Sequence, residues 1–208
     1  MSQLDFSTTL GNAWFPTPIF TASGCASSGK ELAQFFDLRD MGAIVTKSIM
    51  TKPRAGRATP RMAETPSGML NSIGLQGPGI DAFLANDLAW LVEQKARIIV
   101  SIAGETAEEF ASLARRLRGV AGISALEVNI SCPNVENRGM VFACHLESAQ
   151  TVIEGVRRTI GGDLPIIAKL SPDVTDIVSI ARGVIDAGAD GLALINTVLG
   201  MVINPNTM

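Results

Sequence analysis

The amino-acid sequence predicts an α/β fold, a TIM (β/α)8 barrel of which about six of the eight strand–helix units are present. The prediction rests on apolar runs that alternate with helical patterns, and on the polar residues that end those runs. The runs are nearly continuous rather than alternating, which is typical of strands buried on both faces of a parallel sheet. They span residues 18–23, 43–48, 97–104, 125–131, 165–171 and 191–197.

The other elements follow in chain order. The segment before residue 20 is predicted to form a hairpin that turns at Gly11-Asn12 and closes the bottom of the barrel. A helix is expected over 106–119, where Thr106 opens a capping box. A second helical pattern, 148–162, ends on glycines, and a third, 174–191, carries an apolar stripe.

Polar residues at the ends of the runs favour a barrel over a doubly wound sheet. A Rossmann fingerprint would follow the first run, where the sequence reads SGCASSG instead. A barrel builds its active site at the carboxyl ends of its strands. The residues in these positions are Ser23, Lys47, Ser48, Ser101, Asn129 to Asn134, Lys169, Asn196 and Thr197.

The chain is predicted to be one domain, residues 1–208, whose C-terminal part is missing. A closed barrel needs eight units, and the sequence stops inside a loop-like segment, MVINPNTM. An open sheet would leave bare edges. We therefore expect the natural protein to continue past Met208, and residues 1–208 alone to be unstable, insoluble or inactive.

Composition excludes several classes of protein. The net charge of −3 gives no indication of nucleic-acid binding, and no apolar run reaches the ~20 residues that a membrane span needs. Three cysteines without C-x-x-C spacing argue against a disulfide framework and favour the cytoplasm. The single histidine, His145, excludes a multi-histidine metal site.

Two lysines and a cysteine carry most of the candidate chemistry. Lys47 and Lys169 each end a buried run, so each needs a partner, either a carboxylate or a bound anion such as the edge of a reduced flavin. Cys132 follows a strand and precedes Pro133, where a thiolate could act as nucleophile or base. A buried, inert cysteine is the alternative.

Asparagines and glycines surround these groups in the sequence. Asn71, Asn129, Asn134 and Asn196 offer donors and acceptors that suit an amide-rich ring, although each could simply be a turn residue. The glycine-rich segment 64–79 permits close approach to a flat ligand.

Motifs along the whole chain resemble one family. They are SGC, GAIVTKS, TPRMAETPSGMLNSIGLQGPG, VNISCPN, AKLSPDVTDIVSIA and ADGLALINTVLGM. Together they are similar to the catalytic subunits of class 1 dihydroorotate dehydrogenases, and most resemble the NAD-linked class 1B form. Class 2 enzymes carry serine where this sequence has Cys132.

The resemblance implies an FMN-dependent oxidation of dihydroorotate to orotate in pyrimidine biosynthesis. Cys132 would be the general base that removes the C5 proton while a hydride leaves C6. The implied substrate contacts are Lys47, Asn71, Ser72, Ile73, Gly74, Leu75, Asn129, Asn134, Asn196 and Thr197. The implied FMN contacts are Ser23, Gly24, Lys47, Ser48, Ser101, Asn129, Lys169 and Ile195, and at Ser101 relatives often have asparagine.

The resemblance also implies partners. Class 1B enzymes pair this subunit with an iron–sulfur flavoprotein that carries FAD and a [2Fe–2S] cluster and reduces NAD. A homodimer or a heterotetramer with that subunit is expected. The three cysteines of this chain cannot supply the four thiolates of such a cluster.

Three other readings stay open. The SCP loop and the stretch RGM…AC at 138–144 are reminiscent of the uracil-reducing domain of dihydropyrimidine dehydrogenase. A non-catalytic flavin-binding or assembly subunit is the second reading. A barrel aldolase with a Schiff base on Lys169 is the third.

Overall fold

The computed structural model describes residues 4–131, 133–134 and 140–203, with the backbone alone at 133, 134 and 140. The strands in this part of the chain are β1 (Thr8–Leu10), β2 (Ala13–Phe15), β3 (Ile44–Val45), β4 (Met62–Thr65), β5 (Gly68–Asn71), β6 (Ile98–Ile102), β7 (Ile123–Asn129), β8 (Pro133–Asn134), β9 (Met140–Val141), β10 (Ile166–Lys169) and β11 (Gly191–Ala193).

Helices connect most of these strands. A composite helix runs through α1 (Ile80–Ala82), a π-helical segment (Phe83–Leu88) and α2 (Ala89–Glu93). The longer helices are α3 (Ala107–Leu117), α4 (Leu146–Ile160) and α5 (Ile177–Asp186). Short 3₁₀ turns lie at Leu32–Gln34, Leu38–Asp40 and Phe142–Cys144. Within the described residues, no helix has the length and apolar character needed to cross a membrane.

A curled parallel sheet of five strands forms the centre of the fold, in the order β3-β6-β7-β10-β11. Each successive strand is added at the same edge, after a helical crossover on the same side. In the register of β7 and β10, Asn129 is paired with Lys169. The carboxyl ends of neighbouring strands therefore meet at one rim of the sheet.

The two faces of this sheet are different. Side chains alternate between faces along a strand. On the outer face, Val100, Leu126 and Val128 join a large apolar cluster with residues of α3, α4 and α5. On the inner face, Val45 and Ile99 belong to a smaller cluster that also contains residues of the N-terminal hairpin.

The N-terminal hairpin is confirmed. Leu10 pairs with Ala13 across a turn at Gly11 and Asn12, and Gly11 has a φ of +54°. Phe15 is fully buried in the inner-face cluster. The hairpin therefore covers the amino-terminal side of the inner face.

The three predicted helices are confirmed with shifted ends. In α3, the Thr106 hydroxyl accepts a hydrogen bond from the Glu109 amide at 3.2 Å, as the capping motif predicts. Helix α4 begins two residues earlier than predicted and ends at Ile160, directly before Gly161, whose φ is +64°. Helix α5 begins after Asp176, whose carboxylate accepts from two amides of the first turn.

The first predicted strand is reduced to one parallel bridge, Phe20 with Ala43. The Gly42 amide donates to the Ile19 carbonyl at 2.8 Å, and the Thr21 amide donates to the Ala43 carbonyl at 3.1 Å. Pro18 lacks an amide hydrogen, which limits the pairing. The runs 43–48 and 191–197 also form shorter strands than predicted, Ile44–Val45 and Gly191–Ala193.

Candidate active site

Hydrogen bonds join polar side chains at the carboxyl ends of four strands. The Asn196 amide donates to the Asn129 side-chain oxygen at 3.2 Å, and the Asn129 amide donates to the Ser48 hydroxyl at 3.1 Å. The hydroxyls of Ser48 and Ser101 are 3.0 Å apart. Ser101 donates to the Glu127 carboxylate at 2.8 Å. We call this set of five side chains the rim network.

The rim network brings together four residues that the sequence assigned to the site. Ser48 follows β3, Ser101 lies in β6, Asn129 ends β7 and Asn196 follows β11. The Ser23 hydroxyl extends the set, 3.4 Å from that of Ser48. Polar side chains on separate strands meet here because parallel strands end at the same rim.

A cavity of about 450 Å³ opens on the inner face beside the rim network. Ser23, Lys169 and Ile195, three of the predicted cofactor contacts, line it. Glu127 and Lys169 are the two lining residues with ionisable side chains among those described, and they are 4% and 8% exposed. The wall of the cavity is therefore mostly apolar, and its two ionisable side chains lie near the carboxyl ends of β7 and β10.

Burial and charge act in opposite directions on Glu127. Burial raises the pKa of its carboxyl group above the ordinary value. The Lys169 ammonium, the Ser101 hydroxyl and, to a smaller extent, the Ser23 hydroxyl lower that pKa. The site thus holds a carboxylate whose charge depends on its immediate neighbours.

A separate groove of about 780 Å³ lies beyond the rim and contains other predicted contacts. Gly24, Lys47 and Ile73 line it. Gly24 has a φ of +87°, a conformation that favours glycine, and a Cβ added there would lie 3.5 Å from the Lys47 ammonium nitrogen. Lys47 therefore lies where the loop after the first predicted strand meets the groove.

The predicted substrate segment Asn71 to Leu75 lies outside the rim network, and Ile73 is its one member that lines this groove. Asn71 ends β5 and is exposed. The Ser72 amide donates to the Arg61 carbonyl at 2.8 Å. Gly74 and Leu75 both have positive φ, and Leu75 packs on the apolar pair Met50 and Ala103. These contacts turn the segment back towards the sheet.

Three further predicted residues are Cys132, Asn134 and Thr197. Cys132 lies outside the described residues, as does the side chain of Asn134, whose backbone pairs with that of Met140. Thr197 is exposed, and its amide donates to the Asn196 side chain at 2.9 Å. The Ser131 hydroxyl is buried and has no hydrogen-bond partner in the part of the chain that the structure describes.

Sequence reasoning missed Glu127 and Thr46. Glu127 lies in an apolar run, but it precedes Asn129 by two residues, and this spacing places both side chains on one face. Glu127 on β7 and Lys169 on the neighbouring strand β10 line the same cavity, and the Lys169 charge lowers the pKa of the Glu127 carboxyl group. Thr46 accepts a hydrogen bond from the Ser101 amide at 3.1 Å and fixes that strand end.

Comparison with known proteins identifies the family. The family model described as dihydroorotate dehydrogenase matches residues 5–208. The chain belongs to the dihydroorotate dehydrogenase family. Its resemblance in the sequence is therefore confirmed, and the family's site residues can be sought at the rim network and in the groove.

Several curated relatives carry one name, dihydroorotate dehydrogenase B (NAD(+)), catalytic subunit. The protein from Geobacter sp. strain M21 is 46% identical over 98% of this chain and 66% of its own length. The protein from Desulforamulus reducens is 48% identical over 97% and 66%. The protein from Desulforudis audaxviator is 50% identical over 90% and 60%. The chain thus spans about two thirds of the length of the relatives it matches.

Proposed function

We propose that the protein is the FMN-containing catalytic subunit of an NAD-linked dihydroorotate dehydrogenase, which oxidises dihydroorotate to orotate in pyrimidine biosynthesis. The observation that carries this proposal is the rim network, because it joins four residues that the resemblance assigns to flavin and substrate. The names and identities of the relatives support it.

The curled sheet fits an eight-stranded barrel of which this chain supplies six strand–helix units in one domain. The bridge between Phe20 and Ala43 stands for the first of the six strands, and the five-stranded sheet supplies the others. Exposed apolar side chains at Leu194, Val198 and Leu199 are consistent with further packing at this edge. The six-of-eight count and the closed barrel are part of the proposal.

The residues around the inner cavity fit FMN. Lys169 and the Ser23 hydroxyl offer donors to a planar ring with several acceptors, and Ile195 offers apolar contact. The buried Ser131 hydroxyl has no partner among the described residues and could serve a ligand. We assign Ser23, Gly24, Lys47, Ser48, Ser101, Asn129, Lys169 and Ile195 to the cofactor. When bound, FMN supplies the acceptor for the hydride of dihydroorotate.

The remaining predicted residues are assigned to the substrate. The amides of Asn129 and Asn196 orient each other at 3.2 Å, and so present fixed donors and acceptors to a ring with several carbonyl groups. We place Asn71, Ser72, Ile73, Gly74, Leu75, Asn134 and Thr197 around the same ligand, with Lys47 in contact with both ligands.

Cys132 is proposed as the general base that takes the C5 proton. A proton next to a carbonyl needs a base whose pKa lies near the working pH, and a thiol can be tuned to that range. Its position directly after Ser131 puts it at the end of β7 in the sequence. The assignment comes from the family resemblance, since Cys132 lies outside the described residues.

The proposal includes a partner. The printed name of the relatives, a catalytic subunit of an NAD(+) enzyme, supports a second subunit that passes electrons to NAD. We assign FAD and a [2Fe–2S] cluster to that subunit, and we expect a homodimer of this chain within a heterotetramer. The cytoplasm is the proposed compartment.

Anaerobic titration of the full-length flavoprotein with dihydroorotate tests the function. The flavin absorbance should bleach, and NAD should restore it only when the partner subunit is added. In a parallel experiment, the same protein is incubated with uracil and a chemical reductant, and the turnover of uracil is measured. Turnover of uracil without bleaching by dihydroorotate would favour the pyrimidine-reducing alternative, and a flavin that stays oxidised with both ligands would favour an inert subunit.

Cys132→Ser tests the base. The variant should bind FMN normally but lose most of the rate of reduction by dihydroorotate near neutral pH, with partial recovery at high pH. Cys144→Ser is the matched control, because Cys144 contacts the Asp173 carbonyl at 3.4 Å and a hydroxyl can make the same bond. Equal rates for Cys132→Ser and wild type would refute the assignment.

A further inference from the structure

The rim network has a fixed direction that ends on Glu127. Ser101 has one hydroxyl proton, and it goes to the Glu127 carboxylate at 2.8 Å. Ser48 must then donate to Ser101 across their 3.0 Å contact. Asn129 donates to Ser48, and Asn196 donates to Asn129. Every donor in the network therefore points towards one carboxylate, and such chains polarise one another.

Glu127 also faces the buried cation of the cavity. Lys169 lies on the neighbouring strand β10, its side chain and that of Glu127 line the same cavity, and its charge acts on the Glu127 carboxyl group. Both side chains are nearly inaccessible, so water does little to screen them. A buried charge without compensation is costly, and each of these two charges offsets the other.

We propose that Glu127 is a positioning residue of the flavin site, whose carboxylate orients the rim network and serves as the counter-charge of Lys169. This inference rests on the proposed function, because it takes Lys169 and Ser48 to be flavin contacts. Glu127 acts through them: it sets the direction in which the hydroxyls and amides donate, and how much positive charge Lys169 presents to the ligand.

The first experiment does not need the flavin. The carboxyl group of Glu127 is followed by infrared difference spectroscopy of the full-length protein, wild type minus Glu127→Gln, over a pH series. Lys169→Met should move the titration of this carboxyl group to higher pH, because the lysine charge lowers its pKa. Lys95→Met, at an exposed position, should leave it unchanged. An unmoved titration in Lys169→Met would overturn the pairing.

The second experiment measures the flavin midpoint potential of the FMN-loaded full-length protein. Glu127→Gln keeps the shape of the side chain but removes the negative charge, so the anionic reduced flavin should be favoured and the potential should rise. We expect about a tenfold change in the ratio of oxidised to reduced flavin affinity, which is about 30 mV for a two-electron couple.

Two further variants separate a positioning role from a merely structural one. Glu127→Asp retains the charge and should restore most of the wild-type potential, whereas Glu154→Gln, with the same charge change at an exposed position of α4, should not alter it. A potential in Glu127→Gln equal to that of wild type would overturn the counter-charge role.

The two experiments also separate the two proposals. If wild-type protein binds no FMN, the proposed function fails, and with it the flavin part of this inference. The infrared titration would still decide whether Glu127 and Lys169 form a pair. If FMN binds and dihydroorotate reduces it, but the flavin midpoint potential is the same in Glu127→Gln and wild type, the proposed function stands and this inference fails.

Discussion

Strand β7 shows how differently the two faces of one sheet are used. Leu126 and Val128 point to the outer face, and Glu127 and Asn129 point to the inner face. All four are buried, with at most 6% of their surface exposed. Burial alone therefore does not separate the residues that stabilise this fold from those that form its site.

The difference lies in what compensates the burial. On the outer face, apolar surface is removed from water, at roughly 25 cal/mol per Å². On the inner face, Glu127 and Asn129 lose water and regain hydrogen bonds within the rim network. A change on the outer face should therefore alter stability, and a change on the inner face should alter binding and pH dependence.

The largest effect is expected for Leu126→Ala. This side chain is fully buried among the helices of the outer face, so its truncation should lower the free energy of unfolding by about 2–5 kcal/mol. Urea unfolding of the full-length protein measures it. Val178→Ala, at a half-exposed position of α5, should cost no more than about 0.5 kcal/mol. Similar losses in both variants would contradict the distinction between buried and exposed apolar positions.

Lys169→Ala should have the next largest effect, on flavin binding. Hydrogen bonds to charged groups contribute about 1.5–3 kcal/mol, which corresponds to a rise in the dissociation constant of FMN by roughly tenfold or more. Fluorescence titration of apoprotein with FMN measures it, with Lys95→Ala as the control. An unchanged dissociation constant would remove Lys169 from the flavin site.

Much of this architecture could be predicted from local patterns in the sequence. The apolar runs at 97–104, 125–131 and 165–171 contain the three central strands, and Thr106 caps α3. Each depends on local chemistry: continuous burial in a parallel sheet, or a hydroxyl three residues before an amide. Four of the five residues of the rim network, Ser48, Ser101, Asn129 and Asn196, were predicted because they lie towards the ends of such runs.

The features that could not be predicted from the sequence depend on contacts between strands. Glu127 reads as one polar residue within ALEVN, and only the register of β7 and β10 places it near Lys169. Likewise, Asn71 and Asn129 look equivalent in sequence, but the structure places Asn71 on an exposed hairpin and Asn129 in the network. Pairing partners and loop paths are tertiary properties, which local patterns in a sequence do not reveal.

A third prediction uses the pH dependence of stability. Because burial raises the pKa of Glu127 above its reference value of 4.5, the folded protein keeps a proton that the unfolded chain has released. The stability that this protonated group gives to the folded state is fully present below pH 4.5 and is lost as the pH rises through the raised pKa.

The unfolding free energy of wild type minus that of Glu127→Gln should therefore fall as the pH rises from 4.5 through the raised pKa of Glu127. The fall should be at most about 1.4 kcal/mol per pH unit. Urea unfolding of both proteins at a series of pH values tests this. Glu154→Gln should show the same slope as wild type. A difference that grows with pH would mean that Lys169 outweighs burial at this carboxyl group.

The smallest effect is expected for Thr106→Ala, on the outer side of the molecule. The Thr106 hydroxyl accepts from the Glu109 amide, while the Glu109 carboxylate accepts from the Glu105 amide at 2.7 Å. Loss of the first bond should lower stability by about 1 kcal/mol, and Thr106→Ser should restore it. The dissociation constant of FMN should stay unchanged in both variants, because α3 packs on the outer face through Phe110 and Leu113. A weakened flavin affinity in Thr106→Ala alone would mean that the outer helices control the rim, and the two faces of the sheet could then no longer be treated as independent.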